Sequence, residues 1–148
     1  AQRSALEAEF AKLPLNDSNR EAVAYGRLSK VRALHAKFEK IELKSLKTLQ
    51  KNTATKVNLL EQLQRDVTDL AALKVGEVTV AGLHVLADAY IQMGSSFRTA
   101  PIPSQLSGEN LQRYQTVVNE KANGFEQKGQ EARRLATDTA RELGLSGS

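Results

Sequence analysis

The stretch Thr99-Ala100-Pro101-Ile102-Pro103-Ser104-Gln105-Leu106-Ser107 decides the fold. It holds two of the chain's three prolines. Prolines at i and i+2 cannot sit inside one regular helix, because each lacks an N–H and restricts the residue before it. A helical pattern enters this stretch from Gly76 and another leaves it towards Leu143. The chain therefore turns here, and the flanking helices can fold back on each other. Pro101 and Pro103 fix φ and lower the entropy lost by the turn. Ile102 and Leu106 are expected to pack onto the end of the hairpin, near Phe97 and Tyr114. The competing expectation is an outward-pointing Ile102 that contacts another protein.

Upstream of the turn, Leu83, Leu86, Tyr90, Met93 and Phe97 repeat at 3-4-3-4, the spacing of one buried helical face. Ala87 and Gly94 lie beside this stripe and allow a neighbouring helix to approach closely. Downstream, Ser107 is a suitable N-cap and Glu109 adds acid to the first turn. Leu111, Tyr114, Val118, Phe125, Ala132, Ala136 and Leu143 carry the last helix, and Gly144 ends it. Gly124 and Gly129 interrupt it, as a kink or as a close backbone contact.

Residues 27–75 contain neither Gly nor Pro. Val31, Leu34, Phe38 and Ile41 share a face, and Leu46, Leu49, Thr53, Val57, Leu60, Leu63, Val67 and Leu70 continue it. The phase survives the polar Asn52-Thr53-Ala54-Thr55 segment, so one continuous helix of about 50 residues is expected, roughly 75 Å long. The alternative is a second helix capped near Asn52. Gly76 falls where a helix-ending glycine belongs. Residues 1–13 read as a short helix with Leu6, Phe10 and Leu13 on one face, ended by Pro14. Ser18 and Glu21 have capping-box spacing. No strand pattern competes. The expected fold is all-α: a single domain over residues 1–148, an elongated antiparallel bundle of three to five long amphipathic helices.

Composition agrees. Of 148 residues 41% are hydrophobic, but only 5% are aromatic and Trp is absent; alanine and leucine dominate, as in helical bundles rather than sheets. Without cysteine there is neither a disulfide nor a thiolate metal site. No apolar run approaches the roughly 20 residues that span a bilayer.

The +4 net charge is uneven. Residues 27–56 carry nine basic residues against Glu39 and Glu42, a balance of +7. The run is mainly lysine, with Lys37, Lys40, Lys44 and Lys47 at its centre. Arginine would suit bidentate phosphate or base recognition, and aromatics would suit single-stranded nucleic acid. Nucleic acid is therefore not the expected partner. A solvated face is the plain reading, and docking to an anionic polymer, surface or acidic protein is the functional one.

Catalytic chemistry finds little support. His35 and His84 are isolated and are read as surface or boundary residues, since a metal site needs three or four converging ligands. Asp66 with Asp69, and Glu131 with Asp138, lack a nucleophile or cofactor motif beside them and read as solvated faces. Tyr90, Met93 and Phe97 read as core. No catalytic, metal or cofactor-binding residue is assigned.

The segments Ala87-Asp88-Ala89-Tyr90, Thr99 to Pro103, Leu106-Ser107, Tyr114 and Glu142-Leu143-Gly144, in that order, resemble the non-repeat helical region of large tetratricopeptide-repeat envelope proteins of gliding and predatory delta-proteobacteria. The adventurous gliding motility proteins are the named members. Ser104-Gln105-Leu106 replaces the usual lysine before the Gly-Leu-Ser of that turn. The repeats themselves are not visible, because no 34-residue self-similarity appears. The resemblance implies an excerpt of a larger protein. It also implies a cell-envelope, periplasmic location and a scaffold role among other proteins of an envelope complex linked to gliding motility.

Overall fold

The computed structural model describes residues 18–144. The expected helix at residues 1–13 lies outside them. Four helices follow one another: α1 (Arg20–Lys40), α2 (Leu49–Ala71), α3 (Gly76–Thr99) and α4 (Gly108–Glu142). Consecutive helices are antiparallel, and no strand occurs among the described residues. Helices α1, α2 and α3 pack mutually, whereas among the described helices α4 packs against α3 alone.

The continuous helix expected over residues 27–75 is broken. Helix α1 ends at Lys40, Ile41 is extended (ψ 117°), and α2 starts at Leu49. The break precedes the Asn52–Thr55 segment, which is helical. Two side chains of α2 hold it in place. Lys56 Nζ donates to the carbonyls of Phe38 (2.7 Å) and Ile41 (2.9 Å), and Asn52 Nδ2 donates to the carbonyl of Glu42 (3.1 Å). A helix leaves its last carbonyls without partners, and a cation at that end also complements the dipole. Lys56 and Asn52 are four apart, so both reach back from one face of α2 to the end of α1. Leu43 then buries inside the turn at 4% exposure.

The other helix ends follow simple chemistry. Helix α1 begins at Arg20, inside the expected Ser18–Glu21 capping box, and its N-cap is Asn19 rather than Ser18, without a side-chain cap hydrogen bond. Gly76 opens α3 rather than closing α2. The left-handed residue in that connection is Lys74 (φ 58°). Ser107 flanks α4 as expected, with Glu109 in its first turn, and Gly144 (φ 70°) terminates it.

The main core joins Val31, Phe38, Leu60, Leu63, Val67 and Met93 across α1, α2 and α3. A second cluster at the opposite end joins Val23, Ala24 and Leu28 to Leu70, Leu73 and Val78. The α3 stripe is core as expected: Tyr90 and Met93 are buried, and Phe97 is partly buried. The α3–α4 seam uses small residues instead. Ala122, Gly129 and Ala136 recur every seven positions and are buried. A side chain added at Gly129 would meet the Ala87 carbonyl at 3.0 Å, and one at Gly94 would meet the Ala122 carbonyl at 3.0 Å. The rings of Phe97 and Phe125 stack above this seam, 5.6 Å between centroids.

Gly129 therefore admits the close contact, and α4 runs through both glycines as one helix. Gly124 meets nothing within 4 Å. Gly129→Ala should destabilise by about 1–3 kcal/mol through overpacking. Gly124→Ala should stabilise dilute protein by about 1 kcal/mol, because alanine favours a helix interior. Opposite shifts of the thermal midpoint are the expected result, and equal shifts would contradict this seam.

Candidate functional site

Carrying the α3–α4 register to Thr99 puts Val117 opposite it. Residues 108–116 thus project past α3 by roughly 14 Å. The connection climbs this overhang. Ala100 is in the polyproline conformation (φ −65°, ψ 145°), which the following proline favours. Residues 103–106 then close a turn, with Leu106 N donating to the Pro103 carbonyl (3.2 Å). Ile102 lines a shallow groove with Phe97, Tyr114 and Val118, as expected, but remains 44% exposed. The expectation that it is buried is corrected. Among the described residues the overhang offers one helix to pack on, and no second surface closes over Ile102. Leu106, Pro101 and Pro103 are half-buried.

The ends of α1 and α3 lie at this same end of the bundle. One cleft is lined by Glu39, Glu42, Lys44 and Lys56 together with Gln92, Ser95 and Thr99. The loop at residues 41–48 and the proline connection, separated by more than 50 positions in the sequence, thus belong to one end. Lys37 and Lys40 occupy the last turn of α1, while Lys44 and Lys47 sit in the loop. They do not share the single helical face that a continuous helix would have given them. All four are exposed. Lys44 lies 3.8 Å from Glu42. Glu39 accepts from Gln92 (3.0 Å). Lys37, Lys40, Lys47 and Lys51 make no ion pair among the described residues. Leu46, expected on the buried stripe, is 47% exposed in this loop.

Lys56, counted in the basic run, faces inward at 3% exposure, with Nζ 4.0 Å from the centre of the Phe38 ring. Burial pushes its ammonium below the ordinary lysine range, and Glu39 and Glu42 only partly pull it back. Sequence periodicity missed it. Its one signal was a lysine in line with Leu60, Leu63 and Val67, at i+4, i+7 and i+11.

Arg98 fastens the last turn of α3 to α4. Its guanidinium binds both oxygens of Glu126 (3.1 and 2.7 Å) and also donates to Asn123. The same contact holds the Glu126 carboxyl below the usual carboxylate range.

His35 pairs with Gln92 (2.8 Å), lies 3.9 Å from Glu39 and stacks on Phe38. The expectation of an isolated His35 is corrected: its carboxylate partner Glu39 stands at i+4 and was legible in the sequence. Asp66 accepts from Gln62 (2.7 Å). Asp69, Glu131 and Asp138 are exposed. No three His, Asp or Glu side chains converge as metal ligands among the described residues, and none of the described helices is long and apolar enough to cross a membrane. What the described residues form is an all-α antiparallel helix bundle. Compared with protein-family models, curated proteins and solved structures, the chain matches none.

Proposed function

We propose that the chain is a non-enzymatic helical scaffold module that holds other proteins through its loop end. Its setting in this reading is a bacterial cell-envelope complex, which the proline-turn resemblance implies. The observation that supports docking is the placement of Leu46 and Ile102, about half exposed, at an end that also carries unpaired lysines. Burying such a side chain is worth roughly 1.5–3 kcal/mol. That energy is left for a partner to realise. The surrounding lysines favour a partner whose contact surface is acidic.

The second reading is docking to an anionic polymer or surface through residues 27–56. It is favoured by Lys37, Lys40, Lys47 and Lys51, which make no ion pair among the described residues. Salt separates the two readings. Polyanion binding should fall steeply between low and physiological salt and ignore Leu46 and Ile102, whereas docking that also buries these two side chains should fall less and keep a salt-independent part.

The test places a photo-crosslinker at Leu46 and, separately, at Ile102 in extracts of the source cells. The reading predicts the same adduct proteins from both sites. These should be lost when Lys37, Lys40, Lys44 and Lys47 are all replaced by glutamine, with the fold unchanged. Adducts that differ between the sites and ignore the lysines would overturn it. Ile102→Ala should change stability by no more than about 0.5 kcal/mol, as for an exposed residue, and should weaken partner capture.

A further inference from the structure

Among the described helices α4 packs on one neighbour only, so much of its surface is not covered by them. Three of the six exposed large hydrophobic residues among those described are on α4 or its cap: Val117 (49%), Leu135 (55%) and Leu143 (51%). Gly124 is a helix-interior glycine that no contact among the described residues requires. Val117, Gly124 and Leu135 meet on one stripe, with Leu143 beside its end. From Val117 to Glu142, positions spaced alternately four and three fall on a single face. That face carries Lys121 and Lys128 in its first half and Glu131, Asp138 and Glu142 in its second.

We propose that this stripe is the dimerisation surface of the chain and that its occupant is α4 of a second copy, antiparallel. The register follows from the sequence. Placing Leu135 of one copy over Gly124 of the other puts Lys121 against Asp138 and Lys128 against Glu131. Two-fold symmetry repeats each contact. Val117 meets the stem of Glu142, next to Leu143. Every charge on the stripe opposes its opposite except Glu142, and the projecting leucine meets the position without a side chain. A parallel pairing would set like charges together. Lys121 and Glu131 make no ion pair among the described residues, so both are available. The second copy would also flank the apolar groove where Val67, Leu83, Leu86 and Leu135 meet between α2 and α4.

The stripe starts beside the loop end at Val117 and runs away from it, and it does not depend on the proposed docking function. Sedimentation equilibrium on the whole chain tests it. The wild type should show twice the chain mass at tens of micromolar. Leu135→Asp should weaken the dimer more than ~10-fold, with unchanged helix content by circular dichroism. Lys121→Glu with Lys128→Glu should give a monomer, as should Glu131→Lys with Asp138→Lys. Mixing these two variants restores all four charge pairs and should yield a heterodimer. A monomeric wild type, a dimer indifferent to Leu135→Asp, or a mixture that stays monomeric would overturn the proposal.

Discussion

Phe38→Ala should destabilise the domain by about 3–5 kcal/mol, the usual range for deleting a fully buried aromatic ring. Phe38 has no exposed surface and belongs to the core shared by α1, α2 and α3. It is also the last large apolar residue before α1 stops. The cavity would open where three helix ends meet the loop at residues 41–48, a place with little freedom to collapse. Domains of this size are stable by only about 5–15 kcal/mol. The urea midpoint should therefore fall by a large fraction of its value, with little change in slope. A loss below about 1 kcal/mol would mean that the ring is not in the core.

Lys56→Ala should cost about 3 kcal/mol. The substitution removes the packed stem and leaves the carbonyls of Phe38 and Ile41 without their donor. Lys56→Met keeps most of the stem and should cost less, so the difference between the two variants reports the packing share. Their pH dependence distinguishes a buried ammonium from an exposed one. Burial lowers the folded-state pKa below the ordinary 10.5. Below the folded value both states carry the proton, and the cost of the buried charge is present in full. Between the folded value and 10.5 the unfolded chain binds more protons, so the stability of the wild type rises with pH. The wild type should thus gain on Lys56→Met as pH climbs through that window. Tyr25 and Tyr90 are also raised, Tyr25 first by its hydrogen bond to Glu77 and Tyr90 by burial, but they are common to both proteins and cancel. An advantage that shrinks with rising pH would show instead that the ammonium is stabilised by the fold.

These two residues also explain what could be read from the sequence. The 3-4 stripe of α3, the small residues facing α4 and the proline turn were all legible, because each is a local pattern with one physical meaning. The break at residues 41–48 was not. Ile41-Glu42-Leu43-Lys44-Ser45-Leu46-Lys47 holds no glycine or proline, and most of its residues suit a helix. What ends α1 is tertiary: Asn52 and Lys56 capture carbonyls at the end of the preceding helix. Hydrophobic phase could not reveal this. The apolar spacing stayed in register across the gap, while a lysine took a buried position on the stripe and a leucine, Leu46, took an exposed one. The fate of Ile102 was hidden for a related reason. Its burial depends on the length of α4 beyond α3, which is set by the distant register of Gly94 on Ala122 and Gly129 on Ala87.

The fold-back at residues 41–48 underlies the shared loop end, the position of the lysines and the role of Lys56. Spin labels at Lys40 and Gln64 test it most directly, by pulsed dipolar spectroscopy on the intact chain. A continuous helix would hold these positions about 36 Å apart. Reversal of the chain predicts a single distance of about half that, and a dominant peak near the full helical distance would contradict it.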